Sequence, residues 1–204
     1  MGDALPVHRP GSLTMAEFHV LSDGYVLEDG ERVGSTVGFV RDGGVLVVID
    51  PGMVASRAAI LDPLAALDVR PEDVTDVVLS HHHPDHTLNA ALFPSARVHD
   101  HWAWYQDDRW IEREAGGFEI SGGVRLLATP GHTAQDISTA IRTEDGFVVC
   151  THLWWMASGP AEDPLAEDAD ALHANRARVL ALPGLARIVP GHGPSFSPDA
   201  RTPR

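Results

Sequence analysis

Residues 79–89 read "LSHHHPDHTLN", which places four of the chain's twelve histidines and one aspartate within six positions. The run is too polar for a core, and its spacing is too ordered for a tag. It follows "VTDVVLS" (74–80), a short apolar run of strand character that delivers the chain into the cluster. In an extended segment, residues two apart share a side, so His81 and His83 project together while His82 points the other way. His82 is therefore the expected non-ligand. Asp85 and His86 fall on the first turn of whatever follows. Two imidazoles on one side, with a carboxylate and a third imidazole on the other, suit two adjacent cations rather than one.

Further donors stand at other strand ends. "TPGHT" puts His132 behind a Pro-Gly turn, "CTH" puts His152 at the end of "GFVVC", and "PGHGP" sets His192 between two glycines that allow close backbone approach. A single loop histidine is ordinarily solvated or satisfied in a core. One dense cluster plus three strand-end histidines is a different pattern, because unpaired buried imidazoles are costly without a role. His8, His19, His99, His101 and His173 show no such placement and are assigned structural roles.

The rest of the chain supplies the frame. "STVGFVRDGGVLVVID" (35–50) reads as a hairpin about Asp42-Gly43-Gly44. "MVASRAAILDPLAALD" reads as a helix that Pro63 breaks or restarts. A helix is expected from about Asp85, then a strand near "ARVHD". "GVRLLATPGH", "DISTAIRT" and "GFVVCTH" read as three more strands. "DADALHANRARVLAL" is a helix with Leu172, Val179 and Leu180 on one face, ended by Pro183-Gly184, and "ARIVPGHG" is a last strand and loop. Strands alternate with helices while hairpins also occur, so mixed sheets in an α/β sandwich are expected. At 204 residues the chain suits one domain, with a core over about 16–197 and frayed termini.

Composition narrows the partners. The formal charge of −14 offers no basic face for nucleic acid, so a long RNA is disfavoured and a small molecule is the expected partner. Cys150 is the sole cysteine, which excludes an intrachain disulfide and fits a reducing compartment. No apolar run serves as a signal peptide or membrane span, so the expected location is cytoplasmic.

These motifs resemble the metallo-β-lactamase superfamily. Its H-x-H-x-D-H signature is met by His81, His83, Asp85 and His86, its later motifs by His132 and His192, and its strand-ending Asp-x-Gly by Asp50 and Gly52 of "VVIDPG". Within that superfamily, "GYV", "NAALFPSARV", "LLATPGHTAQDIS" and "VPGHGPSF" are most similar to small metallo-β-lactamase-domain-containing hydrolases, whose human member is described as a histone pre-mRNA endoribonuclease. The resemblance implies a four-layered αβ/βα sandwich with two mixed β-sheets and two zinc ions at one sheet edge. It implies His81, His83 and His132 as ligands of the first ion, Asp85, His86 and His192 of the second, and Asp50 as a residue behind them.

One departure stands out. The family usually carries a Gly-Asp pair whose carboxylate bridges the metals, and this chain has Thr151-His152. Each imidazole nitrogen has one outward lone pair and cannot bridge as a carboxylate does, so His152 is expected to ligate a single metal, or to swing away and leave one site weak. Reduced affinity for the second ion is the expectation, with one or two zinc per chain. Cys150, two residues earlier on the strand, is a further conceivable donor.

The activity implied is hydrolysis of a small ester, thioester, lactone or phosphodiester by a zinc-activated water, with Asp85 and His152 as the catalytic side chains beside the metals. Alternatives are an endoribonuclease-like phosphodiesterase, a mononuclear iron dioxygenase, which lacks its carboxylate ligand here, and a non-catalytic metal-binding module. Trp102, Trp104, Trp154 and Trp155 are expected to line a substrate mouth, the competing reading being an apolar patch or a homodimer contact.

Overall fold

Two mixed sheets dominate the computed structural model, which describes residues 15–28 and 30–204. His8 and the N-terminal stretch read for a signal peptide lie outside the described residues. The strands are β1 (Glu17–Ser22), β2 (Tyr25–Val26), β3 (Val33–Gly34), β4 (Val37–Asp42), β5 (Val45–Ile49), β6 (Asp76–Val78) and β7 (Arg97–His99). They continue as β8 (Ala103–Gln106), β9 (Arg109–Glu112), β10 (Val124–Ala128), β11 (Ile137–Thr143), β12 (Gly146–Thr151) and β13 (Leu185–Pro190). The α-helices are α1 (Ala58–Ala66), α2 (Pro84–Thr87) and α3 (Ala169–Leu180).

The first sheet runs β1-β4-β5-β6-β7-β8-β9 and the second β10-β11-β12-β13, while β2 and β3 form a separate ribbon. Pairing is parallel only for β5–β6, β6–β7 and β12–β13. Parallel neighbours need a crossover, and α1 and α3 supply two of them. Because β10 and β12 both run antiparallel to β11, their carboxyl ends share one edge with that of β13. Loops leaving parallel strands at their carboxyl ends are the usual place for a site in such sheets.

Period-two alternation sorts the apolar residues into layers. Val40, Val47, Ile49 and Val78 of the first sheet face Leu126, Ile141, Val148 and Val189 of the second, and Cys150 is buried in this inter-sheet core. Their neighbours Phe39, Val48 and Val77 point outward onto Ile60 and Leu64 of α1. Val149 and Ile188 do the same onto Leu172 and Val179 of α3. The result is helix, sheet, sheet, helix. Each fully buried Leu, Ile or Phe contributes roughly 1.5–3 kcal/mol to that arrangement.

Several local expectations need correction. Pro63 does not break α1, which runs through it, with Ile60 and Leu64 holding both halves on the sheet. The helix expected from Asp85 is only the four residues of α2. The aromatic stretch after His99, to which the sequence patterning assigns no element, forms the β8–β9 hairpin, turning at Asp107, whose φ is 53°. The C-terminal tail is docked rather than frayed: Pro203 O accepts from Trp154 Nε1 at 2.8 Å, and His173 Nδ1 meets Arg204 O at 2.6 Å. No helix among the described residues is long and apolar enough to cross a membrane.

Candidate metal centre

The loop after β6 and the loops after β10, β12 and β13 bring seven donors together. His81 Nε2 lies 3.0 Å from His83 Nδ1, which is 3.2 Å from His132 Nε2. Beside this group, Asp85 Oδ2 lies 3.6 Å from both His86 Nε2 and His192 Nε2. The His152 ring stands between the two groups, with its centroid 4.2 Å from that of His132, 4.7 Å from His81, 4.8 Å from His86 and 5.0 Å from His192. His82 turns away and pairs with Asp100 Oδ2 at 3.1 Å.

What stands behind each imidazole fixes which nitrogen faces inward. His86 Nδ1 is 2.9 Å from Asp50 Oδ2, and His132 Nδ1 is 2.8 Å from Asp163 Oδ2. His192 Nδ1 donates to Gly34 O at 3.0 Å. His81 Nδ1 lies 3.0 Å from Ser80 Oγ and 3.5 Å from Asp136 Oδ1. With Nδ1 engaged as donor to a carboxylate or carbonyl, Nε2 carries the lone pair, so the Nε2 lone pairs of His86, His132 and His192 point into one space. Buried His86 Nε2 has no hydrogen-bond partner among the described residues. Buried polar atoms are nearly always paired, and a set of ring nitrogens turned on one another, with His86 Nε2 left unpaired, is what a cation satisfies. The donor set therefore fits divalent metal.

Backbone geometry at the centre depends on two glycines and one strained aspartate. A Cβ on Gly52 would stand 1.7 Å from the Asp85 carbonyl oxygen, and one on Gly191 would stand 2.4 Å from His152 Cδ2. Neither position can hold a side chain while the donors stay where they are. Asp50 adopts φ 50°, left-handed for a residue with a Cβ. Its carboxylate offsets the strain by accepting from Ser80 N at 2.7 Å as well as meeting His86.

Electrostatics keeps most of these rings neutral. Burial, followed by the neighbouring imidazoles, pushes His81 and His152 far below the usual histidine range. The same causes lower His83 and hold His192 at about 4. His86 moves the other way. Burial works against its proton, but Asp50 together with Asp85 and Asp136 outweighs it and raises the group, so proton and cation compete there.

The tryptophans divide. Trp154 is fully buried in the core beneath α3, so it is no part of a substrate mouth. Trp104 likewise lies in β8 against the Arg97 and Arg109 guanidinium groups instead of the donors. Trp102 is 48% exposed and packs on His82, behind the donor loop. Trp155 alone faces the centre, with its ring 6.0 Å from His192, 6.3 Å from His132 and 6.4 Å from His152. Sequence reasoning missed two carboxylates. Asp136 follows His132 by four residues in "GHTAQD", where that spacing was a usable signal. Asp163 comes from a distant loop, and its Oδ2 also accepts from Trp155 Nε1 at 3.0 Å.

A two-sheet sandwich with histidines and carboxylates gathered at one sheet edge defines an α/β sandwich whose side-chain clusters could hold metal. The sequence model of the Metallo-beta-lactamase superfamily matches residues 30–192, and the chain belongs to that superfamily. It is 33% identical to "Metallo-beta-lactamase domain-containing protein 1" of Xenopus laevis over 93% of this chain and 84% of that protein. A metallo-beta-lactamase-like protein of Thermotoga maritima shares its fold with a TM-score of 0.73 at 19% identity, covering 91% of this chain and 100% of that one. A quorum-quenching N-acyl homoserine lactone lactonase does so with a TM-score of 0.61 at 18% identity, covering 87% and 91%.

Proposed function

We propose that the chain is a divalent-metal-dependent hydrolase, with zinc as its metal, acting on a small ester, thioester, lactone or phosphodiester. The observation that carries this reading is the set of buried imidazoles whose Nδ1 atoms are held from behind and whose Nε2 atoms converge. His81, His83 and His132 would hold one ion, and Asp85, His86 and His192 the other. Ions bound there supply Lewis acidity, acidifying water and polarising a carbonyl or phosphoryl oxygen.

The chain's own groups do the rest. Asp85 is part-exposed, unlike buried Asp50, and can take a proton from an attacking water and return it to a leaving group. Asp50, Asp163 and Gly34 O keep the donor rings in one tautomer and orientation. The Trp155 indole forms an apolar wall beside the donors, where an acyl chain or a flat group can lie. The charge of −14 favours a small substrate over a polynucleotide. Superfamily membership supports hydrolysis, while the lactonase, at its low identity, supports the fold alone.

The test compares metal-stripped and zinc-reloaded protein on p-nitrophenyl acetate, a lactone series and bis(p-nitrophenyl) phosphate. Activity should return with zinc, and Asp85→Asn should lower kcat by roughly 10²–10⁴-fold, the usual worth of a positioned acid–base. Hydrolysis that survives complete metal removal overturns the reading. Turnover confined to the phosphodiester narrows it to a phosphodiesterase.

A further inference from the structure

We propose that His152 makes the two metal positions unlike. It completes a closed four-donor set with Asp85, His86 and His192, and leaves His81, His83 and His132 as an open three-imidazole set. This rests on the metal-centre reading above and goes beyond it.

His152 Nε2 lies 3.0 Å from His192 Nε2. Because the His192 ring donates through Nδ1 to Gly34 O, its Nε2 faces His152 with a lone pair. Two ligand nitrogens of one tetrahedral ion stand about 3.3 Å apart for metal–nitrogen bonds of ~2.0–2.1 Å. The His152–His192 separation of 3.0 Å and the two Asp85 separations of 3.6 Å lie close to that edge length, on one side of the centre. The ring is kept there by its floor: a Cβ on Gly191 would come within 2.9 Å of His152 Nε2, so only a residue without a side chain lets the ring reach His192.

His152 also stands within 4.8 Å of donor atoms of His81 and His132, so geometry alone offers it to either set. Yet among the described residues its one direct polar contact runs to His192, and its buried Nδ1 has no partner. One nitrogen supplies one lone pair, so serving the second set withholds it from the first. The first set then keeps three protein donors at separations of 3.0 and 3.2 Å. Three donors with a free position is the arrangement of catalytic zinc, whereas four protein donors is that of structural zinc. The substrate-binding ion accordingly belongs with His81, His83 and His132.

The test loads the full chain with zinc and follows its release to a chromophoric chelator. Wild type should show two phases of equal amplitude, separated by roughly tenfold or more, the scale on which ligand-shell changes alter zinc affinity. His152→Asn should abolish the slow phase and spare the fast one. His83→Ala, at an exposed position where folding is not at stake, should abolish the fast phase and spare the slow one, with circular dichroism checking both variants. A slow phase that survives His152→Asn, a loss of the fast phase instead, or a single phase in wild type overturns the inference while leaving the metal centre intact. A chain that takes up no zinc overturns the metal-centre reading and this inference with it.

Discussion

Asp163 is the most informative residue to remove, because one carboxylate oxygen serves two parts of the site. Its Oδ2 holds His132 Nδ1 at 2.8 Å and Trp155 Nε1 at 3.0 Å, while Oδ1 accepts from Leu165 N at 2.9 Å. Losing such a carboxylate behind a ligand histidine typically costs 10–100-fold in metal affinity, or about 1.4–2.8 kcal/mol. Asparagine keeps one oxygen, which in the Oδ2 place still accepts from both His132 and Trp155 but without the charge, so Asp163→Asn should fall near tenfold. Alanine keeps none and should approach a hundredfold. The assay is competition for zinc against a chelator of known affinity. Trp155→Phe is the control, since it removes the indole and leaves the His132 contact. Zinc affinity of folded Asp163→Ala within twofold of wild type would refute the argument, as would an equal loss in Trp155→Phe.

Two further outcomes concern the frame. Trp154→Ala should cost about 3–5 kcal/mol, a fall of roughly 10 °C in Tm, with zinc stoichiometry unchanged, because that indole is core rather than mouth; an unmoved Tm contradicts the assignment. Asp76 is fully buried, and hydrogen bonds from His99, Arg97 and Thr75 outweigh the opposing effect of burial, so its pKa is lowered. The stabilisation is therefore complete above the unfolded carboxylate value of ~3.9 and is lost as pH falls through the lower folded value. Asp76→Ala should cost about 3–5 kcal/mol at neutral pH and flatten the acid limb of a denaturant-midpoint profile, and an unchanged limb would be the contrary result.

The convergence of these histidines was legible in the sequence because strand ends aim them. A strand carries its last residue to a fixed edge, so a histidine placed just past a β-rich run is already aimed, as with His132, His152 and His192. The dense run at 81–86 then needs only the alternation of an extended segment to separate His82 from its neighbours. The shell behind the donors lacks that periodicity. Asp163 reaches His132 across 31 residues through a loop whose path no local pattern dictates. Trp154 and Trp155 show the same boundary between adjacent residues. Both follow the end of β12, where alternation stops, and their opposite fates are set by tertiary partners: Pro203 O draws one indole into the core, and Asp163 holds the other against the donors. His152 lies at that boundary too. The strand dictates that it arrives at the centre, but its side of the centre depends on Gly191, 39 residues later, which is why position alone left its role open.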